Sequence, residues 1–450
     1  MSHPYLKLLR TSDVTVRLGA VFVSAITIGM MSLTVVLCVV RWTGSFALAG
    51  TAGGLFSLGN AAGIALQGRL LDRARGSVVL GVAGAVCLFA VVGFVAAGSA
   101  GAPPAVVLTF VAVAGCAVPA LTAAVRAWLP VVLDAETERT ASYALLSVVF
   151  QAAVAVGPLL VSACVVLAGP ELGALVAALL IGIATVLYLS RARADLPAVR
   201  SGRARTRGRA VTPGLLLVLG VAGLTGLGFG SLLVTLPAAM VDRGAPALSG
   251  VLFAAIAVGE MCGALAYGAR HWAGARSCHL WLCLALLGVA YATAAAVAPW
   301  TTSLILVLVL VLSGVAGGPV AIVLSALIDD VVADGAVGRA YSLLVGTGLV
   351  AMAAGSATAG HLVGLATPTQ LLAMPATLSL LAAGLVVVAR RSLVRRHARY
   401  PAAAACCARS RIRAASAAAI SPAERPIQTP TPSNADGERG RRSWTDGRQG

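Results

Sequence analysis

The chain has 450 residues, 59% hydrophobic and 11% charged, with a formal net charge of +17 and a mean hydropathy of +0.94. Soluble domains carry about 25% charged residues, so a soluble globular protein is excluded. In a soluble chain this positive charge would suggest nucleic acid; in one this apolar it reports arginine-rich loops on one side of a bilayer, and no nucleic-acid partner is expected.

The apolar residues come in blocks of about 20, the length that spans a bilayer core as a helix. Twelve spans are expected, at about 18–40, 47–67, 78–98, 105–128, 143–168, 171–190, 214–239, 247–268, 278–298, 302–327, 340–364 and 369–390. The first run is too long, and lacks a small-residue cleavage site, to be a removed leader. Between the second and third runs lies GRLLDRARG, residues 68 to 76, with Asp72 among three arginines. A dense basic segment, 191–213, follows the sixth run, and a polar, arginine-rich stretch, 392–450, follows the twelfth; the first is expected as a linker and the second as a disordered tail. The expected organisation is therefore a six-helix half over 1–190, the linker 191–213, a second half over 214–391, and the tail 392–450.

Basic residues alternate in density from link to link. One side carries Lys7, Arg10, Arg17, Arg69, Arg73, Arg75, Arg139, the linker, Arg270, Arg276, Arg339 and the tail. The other carries Arg41 and Arg243. This asymmetry places both termini in the cytoplasm. The aspartates that close the tenth span, Asp329 and Asp330, are expected to face cytoplasmic water.

The halves repeat. Gly50, Gly59, Gly63 and Gly68 recur 200 residues on as Gly250, Gly259, Gly263 and Gly268; Tyr143 and Gly157 recur 198 residues on as Tyr341 and Gly355; Gly115 recurs as Gly314. Two six-span halves in the same orientation form a parallel repeat about an axis along the membrane normal, with a substrate cavity between them.

Twelve spans, a 6+6 repeat, a basic central loop and GRLLDR after span two resemble the major facilitator superfamily (MFS), over roughly residues 15 to 391. Gly68, Leu70, Asp72 and Arg73 match its loop signature G-x-L-x-D-R-x-G-R-R/K, while Arg75 and Gly76 stand where the family has Gly then Arg. The second half keeps Gly268 and Arg270 but has Trp272 in place of the acid. The segments PALTAAVRAWLP, YALLSVVFQAAVAVGPLL and GSATAGHLV look like drug-exporter members of actinobacterial type. The resemblance implies a latch at the cytoplasmic gate, with Asp72 near the start of the eleventh span and Arg73, Arg75 or Arg126 completing a charge cluster, and Gly68 permitting close helix approach. Gly157 and Pro158 match only the core of the fifth-helix antiporter motif G-x3-G-P-x2-G-G; the same pair also serves as a plain helix kink.

Glu260 is the acid placed well inside a span. A carboxyl group at that depth is a functional hypothesis by default; low dielectric disfavours its charged form, which suits proton uptake and release. A packing role, hydrogen-bonded to a neighbouring helix, is the alternative. Its repeat mate is Asn60. Gln151, in the fifth span, suits either the cavity lining or a helix–helix bond, and Arg126 either the gate or an interfacial position.

The leading expectation is a monomeric secondary exporter in a bacterial plasma membrane, exchanging protons for a small hydrophobic or amphipathic molecule. A proton-coupled importer of a neutral nutrient is the runner-up, and a non-transporting scaffold a third reading. The sole lysine, Lys7, excludes a Walker A loop and hence ATP drive by this chain. Nothing like HExxH or GxSxG marks an enzyme, and the nine cysteines form no CxxC pair, so neither metal nor cofactor is expected.

Overall fold

The structure, a computed structural model, describes residues 12–71, 73–132, 136–191, 212–270, 272, 274–298, 300, 303–332 and 337–397. Asp72, most of the linker (192–211) and the tail from 398 lie outside them. Residues 1–394 form one compact unit, and the fold below is that unit's.

The described residues are almost entirely helical: α1 Ser12–Thr43, α2 Phe46–Leu71, α3 Gly76–Ser99, α4 Pro104–Ala117, α5 Leu121–Val132, α6 Glu136–Leu167, α7 Pro170–Leu189, α8 Pro213–Asp242, α9 Leu248–Gly268, α10 Arg276–Val297, α11 Ser303–Val331, α12 Val337–Leu362 and α13 Pro368–His397. In hydrocarbon each backbone N–H and C=O must be satisfied inside its own segment, which leaves the helix as the spanning form of such runs. Proline opens α4, α7, α8 and α13, at the position where its missing N–H costs nothing. Gly44 and Gly244, 200 residues apart, turn the chain between α1 and α2 and between α8 and α9 with φ of 66° and 67°, a conformation that favours glycine.

Several boundaries differ from the sequence reading: α1 begins at Ser12 and α6 at Glu136, ahead of the expected 18 and 143. The fourth span is two helices, α4 and α5, because the chain breaks at Val118–Ala120 around Pro119. The last helix runs to His397, beyond the expected start of the tail. Among the described residues, eleven stretches are long and apolar enough to cross a membrane. The remaining expected span, α2, is an unbroken helix whose hydropathy is lowered by Gly50, Gly53, Gly54, Gly59, Gly63, Gly68, Asn60 and Gln67.

Within the first half α1 packs on α6 and α7, α2 on α4, and α3 on α4 and α7. In the second, α8 packs on α12, and α9 and α10 on α11. The halves join along two seams, α2 against α12 and α6 against α9. These seams exchange under the repeat, and so do their closest contacts. A β-carbon at Gly50 would fall on the backbone of Ser356 and Gly360; one at Gly250 would fall on Pro158 and Ser162, the residues 198 positions earlier. Inside the halves, Gly63 lies on the backbone of Cys116 as Gly263 lies on that of Val315. Helices in lipid gain little from burying apolar surface against each other, so association rests on such close packing of small residues.

The buried side chains form one core shared by both halves and two that are private. The shared core lies at the end where α2 and α9 begin, with Val36, Ala52, Phe94, Leu236 and Ile256 among its members. At the opposite end the first half keeps its own cluster around Leu18, Leu80, Leu129 and Leu146, and the second its own around Val218, Leu284, Leu324 and Val386. The two halves are therefore knit together at one end and separate at the other.

Candidate functional site

Glu260 lies midway along α9, and α11 is shaped to receive it. Gly314 and Gly318 meet the backbone around Glu260, and Gly317 leaves its side chain room: a β-carbon there would sit 3.7 Å from Glu260 Oε1. The carboxylate reaches across the α6/α9 seam, where Gln151 Nε2 of the first half donates a long hydrogen bond, 3.4 Å, to Glu260 Oε2. Behind it in the second half, Tyr291 of α10 and Ser313 of α11 are buried. Ser313 in turn donates to the carbonyl of Leu310 at 2.7 Å. The arrangement places one ionisable group of the second half in contact with the first half at the seam.

Of the residues singled out in the sequence, Glu260 and Gln151 are thus brought together. Asn60, 9% exposed, is buried among packed helices. Gly157 packs against α1, where a β-carbon would meet Ile26, Gly29 and Met30, and the Pro158 carbonyl carries the close contact with Gly250. The Gly-Pro pair therefore sits where α6 is wedged between α1 and α9. Arg126 is an exposed residue of α5.

The loop after α2 shows less. Leu70, Arg73 and Arg75 are exposed, and Asp72, the expected latch residue, lies outside the described residues. Gly68, expected to permit close helix approach, faces open space. The reason is that this end of α2 lies where the halves have separated; the backbone contacts of α2 fall at Gly50, Gly54 and Gly63 instead. Asp329 and Asp330 are exposed, as expected, and Asp330 also forms an ion pair with Arg276 at 2.7 Å, which ties α10 to α11.

Two residues escaped the sequence reading. Gln67 is 4% exposed and Arg17 2% exposed; both were passed over because a polar residue near a span end reads as a loop or interfacial one. For Gln67 the signal was a side-chain amide inside the repeated stretch LGNAAGIALQG.

A transporter architecture of two six-span halves with an embedded carboxylate at their seam is what these features define. The model of the Major Facilitator Superfamily matches residues 18–279, more than half of the chain, and the protein belongs to that family: it is a multi-pass membrane transporter of a small molecule, not an enzyme. Solved structures of similar fold include the nucleoside transporter NupG (13% identity, TM-score 0.64, covering 85% of this chain and 99% of that one). A human organic anion transporter (18%, 0.60, 84% and 100%) and a bacterial homologue of the iron transporter ferroportin in its inward-facing state (14%, 0.66, 83% and 97%) are also similar. At these identities the likeness is one of fold. No curated protein matches the sequence.

Proposed function

We propose that this transporter exports a small hydrophobic or amphipathic compound in exchange for protons, by alternating access, with Glu260 as the coupling group. The observation that carries the reading is the Gln151–Glu260 bond, a contact between the halves whose strength changes with one proton. Basic residues concentrated on the side of the termini support a cytoplasmic location for both ends in a bacterial plasma membrane. In that orientation the separated end faces the cytoplasm, as loading of an exporter requires. The chain works as a monomer, since each half supplies the other's seam. The loop GRLLDRARG then acts in the opposite state, where Gly68, Leu70, Asp72, Arg73 and Arg75 approach the start of α12, and Arg126 takes part in the same closure.

The test uses inverted membrane vesicles carrying the full chain. A proton gradient is imposed and accumulation of lipophilic dyes and antibiotics is followed for wild type and Glu260→Gln. Gradient-driven accumulation that disappears in the variant is the expected result. Accumulation that survives removes Glu260 from the coupling path; gradient-driven release of a neutral nutrient, with no export of any dye, replaces the exporter by an importer.

A further inference from the structure

The fourth span and its repeat mate, the tenth, each carry a proline just past the paired glycines, Pro119 after Gly115 and Pro319 after Gly314, one residue out of register with each other. α11 runs through Pro319 unbroken. The first half stops at Ala117, takes Val118 to φ −53° and ψ 120°, and restarts at Leu121. Such a break leaves backbone groups without helical partners, which is costly in a membrane unless side chains supply the bonds. Gln67 of α2 supplies three. Its Nε2 donates to the carbonyls of Cys116 (3.3 Å) and Val118 (2.8 Å), and its Oε1 accepts from the amide of Ala120 at 2.9 Å. A carboxamide offers two donors and an acceptor on one flat group, which this site uses in full. The mate of Gln67 is Tyr267, whose hydroxyl pairs with His279 instead.

The two pieces of the fourth span also belong to different cores. Val107, Val111 and Ala114 of α4 lie in the shared one. Leu121, Val125 and Leu129 of α5, spaced one turn apart, lie in the first half's private one. Near the free end of α5 the Arg17 guanidinium lies over the Trp128 ring, 4.4 Å from its centroid, and over Tyr188 at 4.9 Å. Arg17 also donates to the Arg191 carbonyl just beyond α7, at 3.0 Å, a favourable place for a cation. Its Nε is buried without a hydrogen-bond partner, so this contact is less well satisfied than the break above it.

We infer that α5 is a hinged arm: it pivots at Val118–Ala120, with Gln67 as the stitch that holds the pivot and the Arg17–Trp128 stack as the catch that holds the free end. The first half opens its separated end partly by swinging this arm, while the second half moves as unbroken rods. The swing of the arm depends on neither the direction of transport nor any role for Glu260. Twelve residues of helix are about 18 Å long, so a swing of some 15–20° displaces the tip by about 5 Å.

Pulsed electron spin resonance on the full chain in lipid nanodiscs tests this, with bio-orthogonal spin labels that spare the native cysteines. One pair, at Val132 on the arm and Val186 on α7, reads the first half; a mate pair, at Val331 and Leu385, reads the second. The expected first-half distribution has a second population displaced by about 5 Å, enlarged several-fold by Trp128→Leu and broadened by Gln67→Leu, while the mate pair stays single and narrow throughout. Equal, single distributions for both pairs in wild type, unmoved by Trp128→Leu, overturn the hinge. Should Gln67→Leu fail to fold, wild type and Trp128→Leu decide the matter between them.

Discussion

The two seams that join the halves begin alike and end differently. Where α2 meets α12, Gly50 lies on Gly360 and the Ser356 hydroxyl donates to the Gly50 carbonyl at 3.0 Å. Where α6 meets α9, Gly250 lies on Pro158 and the Ser162 hydroxyl donates to the Ala247 carbonyl at 2.6 Å. Each seam thus has a glycine that lets backbones touch and a serine that hooks across. Further along they diverge. The α6/α9 seam carries Gln151 and Glu260, whereas their repeat mates on the other seam are Leu349 and Asn60. Closure at the knit end therefore rests on geometry that both seams share, and the carboxyl group that the proposed proton coupling requires lies on one of them.

The largest expected effect comes from removing that asymmetry at its source. Glu260→Gln keeps the size and the hydrogen bond to Gln151 but fixes the group in a neutral form, so gradient-driven transport in vesicles should fall by about a hundredfold or more. Substrate-for-substrate exchange, which needs no net proton movement, should persist. Loss of both activities together would mean that Glu260 holds the seam rather than couples it.

Next come the glycines. Gly50→Leu and Gly250→Leu each force a side chain onto facing backbone, a strain of about 1–3 kcal/mol. That is a factor of roughly 5–150 in the population closed at the knit end, and transport should fall in proportion. The shared geometry predicts similar losses at both sites. Gly68→Ala, in open space, is the control and should stay within about 0.5 kcal/mol of wild type by thermal unfolding in detergent. A loss at one seam glycine only would show that the seams are unequal mechanically as well as chemically.

A smaller effect is expected from Gln151→Leu, which deletes one long hydrogen bond to a carboxyl group. Transport should drop by about tenfold, in line with some 1–1.5 kcal/mol, and its pH profile should shift while folding is preserved. The mirror variant, Leu349→Gln, gives the other seam an amide opposite Asn60. If the polar seam is special because of its carboxyl group, this variant leaves the pH profile unchanged.

The repeat that makes these comparisons possible was legible in the sequence because glycines at close helix crossings cannot be replaced without moving backbone. Their spacing therefore survives in the letters, as at Gly63 and Gly263. Glu260 was legible for the opposite reason: a carboxyl group in a run of apolar residues has no cost-free explanation. Its partner Gln151 was legible as a residue but not as a partner, since nothing local records which helix faces it 109 residues away. Arg17 and Gln67 were illegible as buried groups. Arginines abound on that side of the chain, and one extra charge near a helix start looks like topology. The break at Pro119 was equally hidden, because Pro319, one residue out of register with it, lies in an unbroken helix, and nothing local to Pro119 names Gln67 as the group that bonds the freed backbone.

The smallest expected effect lies away from both seams, and it tests whether the seams are where function is concentrated. At the knit end α1 is clamped to α7 inside the first half: Arg41 pairs with Glu171 at 3.1 Å, and Trp42 Nε1 donates to the same carboxylate at 2.9 Å. The second half has a clamp of its own, from the Arg243 guanidinium to the Ala298 carbonyl. The Arg41 side chain is 54% exposed, so solvent screens the pair and Arg41→Ala should cost at most about 0.2–1 kcal/mol of stability. Glu171→Ala also strips the indole of its acceptor and should cost somewhat more, about 1–2 kcal/mol. Both clamps lie within one half and move with it, so neither variant should slow transport by more than about twofold once the amount of folded protein is matched. Thermal unfolding in detergent, read beside vesicle transport, separates the two quantities. If Arg41→Ala slowed transport more than Gln151→Leu while leaving stability intact, the control point would have to be moved from the α6/α9 seam to the α1–α7 clamp.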